Sequence, residues 1–288
     1  MKKITKLASI GLLVMASSAA SATTIGIQDA WQLDTTGAGA TIGSLTTNIG
    51  HLNLSGGVGY VNQSFGGNGV MDVGDPFTEY GAIFTVNITP ESCTGACDSG
   101  FPASFSSPLA GLKLVYTGLA GILTSVSGGS VTYAFNSGVG NISIEGTADG
   151  ISYTTLANLT PINPSGGSLG AFLGGILANG TTDMMTRVST AGYLSNLFRD
   201  STGASLDSYV NNLPFGNLFA AIHTQNTLGQ PASCTTDGSG NILSCDLVVN
   251  SDGSLNLTVP EPGTVALIGI GLMALFGFSR RRSMKFSV

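Results

Sequence analysis

Charge is scarce in this sequence, and positive charge is scarcest. Lys and Arg together number 10 of 288 residues, and only Lys113, Arg187 and Arg199 lie between Thr23 and Val259. Over that stretch 15 acids face three bases, a net charge of −12. Such a surface repels polyphosphates and offers no basic patch to neutralise them, which excludes nucleic-acid binding as a function class. Histidine occurs twice, at His51 and His223, and the four cysteines form no paired C-x-x-C. A structural zinc site needs four N or S ligands at close spacing, so no metal and no cofactor are expected. No apolar run reaches the ~20 residues of a full membrane span. No repeat of fixed period is visible, which argues against a solenoid or propeller.

What is present is concentrated first at the two ends. Lys2, Lys3 and Lys6 precede the apolar run Leu7–Ala16 and the small triplet Ala20-Ser21-Ala22. A basic start, a short apolar segment and an A-x-A site make a secretory signal peptide. Residues 1–22 are therefore expected to be removed by signal peptidase, with Ala20 and Ala22 as the recognition positions. At the other end Pro260-Glu261-Pro262 is followed by the uncharged, mostly aliphatic run Val265–Phe278 and then Arg280-Arg281-Arg282. Clustered positive charge stays on the cytoplasmic side, so the arginines are expected to halt export and leave residues 23–259 beyond the membrane.

The order Pro-Glu-Pro, apolar run, arginine cluster resembles the PEP-CTERM sorting signal of Gram-negative bacteria. The resemblance covers about a tenth of the chain and departs in one detail, since Lys285, Phe286 and a few others trail the arginines. It implies recognition by an exosortase, an integral-membrane cysteine transpeptidase acting near Pro260, Glu261 and Pro262. The tail 260–288 would hold the protein in the inner membrane transiently before transfer to the cell surface or extracellular matrix. The family is associated with exopolysaccharide-producing bacteria. The run RVSTAGYLSNLFRDSTGASL, together with the late SDGSLNLTVPEPG, is reminiscent of flocculation-associated members.

Between the two signals, residues 23–259 suffice for one ordinary domain or two small ones. Gly accounts for 42 of 288 residues, roughly twice its usual share of about 7%, and favours turns and short strands. AIFTVNI, with Phe84, Val86 and Ile88 alternating against Thr85 and Asn87, reads as a half-buried strand. LKLVYT at Leu112–Thr117 and the runs VTYAF, NISIEG and GISYTTL repeat that pattern. Asp149-Gly150 is expected to turn a hairpin. LSCDLVVNSDGSLNLTV reads as a second hairpin, with Leu243, Cys245, Leu247 and Val249 leading to a turn at Asp252-Gly253. From Ser168 to Gln230, AFLGGILANG, AGYLSNLFRD and NLFAAIHTQ carry apolar spacings of three and four that allow helices, while TTDMMTRVS also fits an edge strand. The expected fold is mainly β, a β-sandwich-like domain with a possible helical insertion.

Four cysteines exported to an oxidising compartment are expected to form two disulfides. Of three possible connectivities, local pairing is the simplest: Cys93 with Cys97 and Cys234 with Cys245. Catalytic signals are weak. Gly166-Gly167-Ser168-Leu169-Gly170 matches the G-x-S-x-G elbow, which needs a strand before the serine and a helix after it, with His223 and one of Asp183, Asp200 or Asp207 as partners. Asp72, Asp75 and Glu79 could serve as a carboxylate pair or as calcium ligands, but solvated loop acids are the plainer reading. Asp237, Ser239 and Asn241 have a calcium-loop flavour without its closing acid. The expectation is therefore a non-enzymatic exported protein that contributes to biofilm or floc formation through extracellular polysaccharide. The alternatives are a secreted hydrolase of matrix polysaccharide or esters and a lectin-like module.

Overall fold

The computed structural model describes residues 31–38, 46–90, 111–127, 129–170, 179–211 and 218–258. The expected signal peptide with Ala20 and Ala22, the tail with Pro260, Glu261, Pro262 and Arg280 to Arg282, the pair Cys93 and Cys97, and most of AFLGGILANG lie outside these residues.

Alternation of apolar and polar side chains produces strands through almost the whole described chain. They are β1 (Trp31–Leu33), β2 (Thr46–Ser64), β3 (Pro76–Pro90), β4 (Gly111–Ser127), β5 (Ser130–Phe135), β6 (Asn141–Thr147), β7 (Tyr153–Leu169), β8 (Asn179–Ser189), β9 (Phe198–Arg199), β10 (Phe219–Thr236) and β11 (Ile242–Thr258). All belong to one antiparallel sheet in the order β11-β10-β8-β7-β5-β4-β3-β2-β1-β9. The sheet closes on itself, because β11 also pairs with β2 from Ser244↔Ser64 to Leu255↔Leu52. Nine strands in eight lanes thus form an up-and-down barrel, with β5 and β6 sharing one lane. The far part of β4 and of β7 flanks β5, whereas their near parts, Gly111–Thr117 and Tyr153–Leu159, flank β6. Closure leaves the barrel strands without a free edge.

The expectation of a mainly β domain holds, with the strands in one closed sheet instead of two facing ones. Alternating sequence reads the same in both arrangements; only the long-range β2–β11 pairing separates them. The helical spacing in Ser168–Gln230 gives way to strands. NLFAAIHTQ enters β10, where Ala220, Ile222, Thr224 and Asn226 are buried at period two. TTDMMTRVS lies in β8 between β7 and β10, not at an edge. AGYLSNLFRD forms turns and β9, and the one α-helix among the described residues is the five-residue Asp207–Asn211, in addition to a 3-10 turn at Thr36–Ala38. Residues 219–227 of β10 and 180–187 of β8 have strand partners on both sides, and an isolated short helix cannot match that.

Both predicted turns contain Asp-Gly, and they end differently. Asp149-Gly150 does turn, with the Asp149 carboxylate accepting the amides of Ile151 (2.8 Å) and Ser152 (2.7 Å). Asp252-Gly253 does not, since β11 runs straight through it between β10 and β2. A bulge on β2 absorbs the mismatch, and Asp252 Oδ1 accepts the amide of Gly56 at 2.8 Å, where Gly56 has φ 68°. The same irregularity corrects the face of β3: Ile83 and Val86 are buried, while Phe84 is 60% exposed.

The barrel is filled at one end and hollow at the other. Leu52, Leu54, Val86, Leu112, Ile144, Leu156, Leu159, Leu255 and Leu257 pack the filled end. Trp31, Leu33, Leu197 and Phe198 continue that core, with Trp31 edge-on to Phe198 at 5.8 Å. The Arg199 guanidinium clamps this region through Asp34 Oδ2 (2.9 and 3.0 Å) and the carbonyl of Gly203 (2.9 Å).

Candidate functional site

The hollow end follows from residue size along the inward rows. On β2 and β3 the inward positions include Gly59, Val61, Gln63, Phe77, Glu79 and Gly81, in place of the leucines of the filled end. The result is a narrow cavity of about 80 Å³, part of it open to solvent, walled mainly by Phe65, Phe77, Leu123, Val131, Leu247 and Val249. A second, smaller space of about 40 Å³ lies towards the filled end, against Ile83, Leu114, Tyr116, Phe135 and Ile222. Glu79, Thr182 and Asn226 line both, so they mark the level at which the interior narrows. Apolar walls with a few convergent polar groups are the usual lining of a small-molecule site, and eight-stranded barrels are of a size to hold one small ligand.

The polar groups at this level divide into a satisfied wall and an unsatisfied one. On the β5, β8, β10 and β11 side, the Tyr133 hydroxyl bonds Thr182 Oγ1 (2.5 Å), and Asn226 Nδ2 donates to the same oxygen (2.6 Å). The Asn226 carbonyl accepts from Thr224 (3.0 Å) and Ser251 (2.9 Å). On the opposite side, from β3, the Glu79 carboxylate makes no side-chain hydrogen bond or ion pair with the described residues. Burial pushes its pKa from 4.5 up to about 7, because a carboxylate held away from water favours its neutral form. The Tyr116 hydroxyl is buried with no hydrogen-bond partner within 3.5 Å; burial raises its pKa, the charge of Glu79 adds to the effect, and the nearby Ser251 hydroxyl partly offsets it. Burial likewise pushes Tyr133 up, partly offset by its bond to Thr182.

Of the acids in MDVGDPFTE, only Glu79 faces this interior. Asp75 is buried in a tight turn, its Oδ2 accepting the Asp72 amide at 2.8 Å, while Asp72 is exposed and bonded to Asn68. Ser168 sits within β7, paired to Thr132 and Thr181 on either side, so the G-x-S-x-G run lacks the strand-turn-helix geometry of a nucleophile elbow. His223 Nδ1 does meet Asp183 Oδ1 at 2.6 Å, but both are exposed on the outer wall. Asp200 and Asp207 are engaged elsewhere: Asp200 caps its own turn at Thr202 and Ala204, and Asp207 accepts from Tyr193 and Asn196. Asp237 accepts the amides of Ser239 and Asn241 at 2.8 Å each, closing the β10–β11 hairpin. Cys234 and Cys245 stand directly opposite in that hairpin and are disulfide-bonded. Among the described residues, no group of three or more His, Cys, Asp or Glu is placed to hold a metal.

The sequence reading missed Tyr116, Tyr133, Thr182 and Asn226 as a set. One signal pointed there: Glu79 occupies the inward row of Phe77, Gly81 and Ile83, where an acid is out of place.

The outer wall is the reverse of a membrane-spanning barrel, whose outside is apolar and whose inside is polar. Asn53, Asn62, Asp183, His223, Asp246 and Asn250 face out. Among the described residues, apolar side chains such as Ile122, Val126 and Leu243 are also exposed, and an aromatic area interrupts the polar face on β2 and β3. Tyr60 and Tyr80, paired across β2 and β3, stack with centroids 5.2 Å apart and planes 19° from parallel. They are 41% and 56% exposed, with Phe84 further along β3. No helix among the described residues is long and apolar enough to cross a membrane.

No curated protein and no solved structure matches the chain. A family profile, the PEP-CTERM protein-sorting motif, matches residues 258–282, beginning at the last residue of β11. That match spans Pro260, Glu261, Pro262 and all three arginines and indicates an exported surface protein processed by an exosortase: the chain carries a PEP-CTERM sorting motif at residues 258–282.

Proposed function

We propose that the barrel is a non-catalytic surface module that associates with extracellular polysaccharide and so contributes to biofilm or floc cohesion. Signal peptidase removes residues 1–22 after Ala22, and exosortase processing at Pro260-Glu261-Pro262 follows transient retention in the inner membrane. The stacked, exposed pair Tyr60 and Tyr80 carries the polysaccharide reading. A sugar ring presents an apolar C–H face that packs on an aromatic plane, and two stacked rings on a rigid sheet are held in place at little entropic cost. Asn62 and Thr78, opposite each other one step along the same strands, are both exposed to meet hydroxyls. With a net charge of −12 between Thr23 and Val259, the surface favours neutral polymers, or anionic ones bridged by divalent cations.

Co-sedimentation of the purified protein with exopolysaccharide from the producing cells tests this. The wild type is expected to pellet with the polymer, and the Tyr60→Ala/Tyr80→Ala variant to stay in solution with an unchanged melting temperature. Equal co-sedimentation of the two would overturn the assignment.

A further inference from the structure

We infer that the hollow end of the barrel is a binding site for a slim apolar amine, whose ammonium head is received by Glu79 and whose hydrocarbon stem lies against Phe77, Leu123, Val131, Leu247 and Val249. This goes beyond polysaccharide association, which uses the outer wall.

Three observations carry it. The cavity is walled by all eight lanes of the barrel and is mostly apolar, so a hydrocarbon stem entering it leaves water. Its polar groups are unequal: Tyr133, Thr182, Asn226 and Ser251 satisfy one another, while Glu79 has no partner among the described residues. A half-buried acceptor at the edge of an apolar cavity, without a donor from the protein, is open to a ligand's donor. Finally, charge selects the donor. Among the described residues, no Lys, Arg or His lines either space, so a carboxylate ligand would meet repulsion from Glu79. An ammonium supplies both the missing counter-charge and up to three N–H donors. The titratable groups that face Glu79 are Tyr116 from β4 and Tyr133 from β5, both held neutral by burial. The pair His223 and Asp183 lies on the outer wall and does not enter the site.

Because the acid must be ionised to pair with an ammonium, amine binding should tighten as pH rises through about 7. An alcohol of equal length should show no such dependence.

The probes are hexylamine, hexanol and hexanoate, titrated by calorimetry into the full-length protein at pH 5 and pH 8. Expected is one hexylamine per chain, tighter at pH 8 than at pH 5 and tighter than hexanol, with hexanoate not binding. Glu79→Gln should weaken hexylamine by about tenfold or more at pH 8 and leave hexanol unchanged, in line with the loss of one charge-assisted hydrogen bond. This substitution removes a charge from an apolar space and is expected to fold, which its melting temperature checks. Glu79→Asp, which shortens the acid by one methylene, should retain part of the preference for amine. Absence of saturable hexylamine binding, equal affinity for amine and alcohol, or an unchanged Glu79→Gln titration would each overturn the site. Tyr60→Ala/Tyr80→Ala should bind hexylamine normally, so failure of the polysaccharide reading and failure of this one are separable.

Discussion

The Tyr116 hydroxyl occupies the space that a side chain on Gly59 would need: a Cβ at Gly59 would come within 2.4 Å of that oxygen. Gly81 leaves the same room from the neighbouring strand, with a Cβ there 2.7 Å from the same oxygen. The two glycines are thus spaces for a phenol inside the barrel, and the phenol's hydroxyl has no hydrogen-bond partner once there.

Gly59→Ala is therefore expected to destabilise the protein by about 1 to 3 kcal/mol, the usual cost of overpacking. Tyr116→Phe removes a buried hydroxyl that bonds to nothing and should be neutral or stabilising. In the double variant most of the Gly59→Ala cost should disappear, because the clashing atom is gone. Denaturant titrations of the three variants form a double-mutant cycle; additive costs would contradict the contact.

Glu79 sets a pH dependence whose sign is unusual for an acid. Its folded pKa of about 7 lies above the ordinary 4.5, so between those values the folded state binds more protons than the unfolded one. Stability from this group is fully present below about pH 4.5 and is lost as pH rises through about 7, a change of order 3 kcal/mol. Glu79→Gln should flatten this part of the profile and raise the melting temperature at pH 8. A parallel profile in the variant would contradict the buried position of the carboxylate.

Cys234 and Cys245 close a hairpin loop with a sequence separation of 11. In a chain-entropy model a loop of that length contributes about 3 kcal/mol. Replacing both by Ala should lower stability by up to that amount while leaving the barrel intact by circular dichroism. The side of Cys245 is the more costly, since Cys245 is buried beside Phe65, Leu247 and Val249 whereas Cys234 is exposed.

Arg199 and Asp34 form the part-buried ion pair at the filled end. Burial opposes ionisation of Asp34, but bonds from the Thr36 hydroxyl and amide and from Arg199 outweigh it and hold the pKa below 3.8. Stability from Asp34 is thus present above its ordinary pKa and lost as pH falls through the lowered value. Arg199→Met should cost about 2 to 3 kcal/mol at pH 7 by stranding the carboxylate. The loss should shrink at acid pH, where Asp34 is protonated, and a pH-independent loss would contradict the pairing.

Much of the strand content was legible because period-two alternation is local: Leu112, Leu114 and Tyr116 are all buried as read. Closure was not legible, since nothing near Leu247 in the chain announces Val61 as its partner. The two Asp-Gly steps show the same limit, because Asp149-Gly150 turns where no third strand competes and Asp252-Gly253 is overruled by partners on both sides. Phe84 read as core because a shift shared by β2 and β3 reverses the facing of the row beyond it. At the candidate site, Glu79 was noticed as an acid but grouped with Asp72 and Asp75 by proximity in sequence. Its actual company comes from β4, β5, β8 and β10, a set that only the closed barrel brings together.

The measurement that bears most directly on the account is intact-mass analysis with cell fractionation of the protein produced in its exosortase-bearing host. The comparison is a variant with Pro260, Glu261 and Pro262 changed to alanine. The account predicts that the wild type reaches the cell surface or matrix without its tail, cut near Pro260, while the variant keeps the tail and stays in the inner membrane. An intact tail in both, or equal delivery of both to the surface, would contradict exosortase sorting of this barrel.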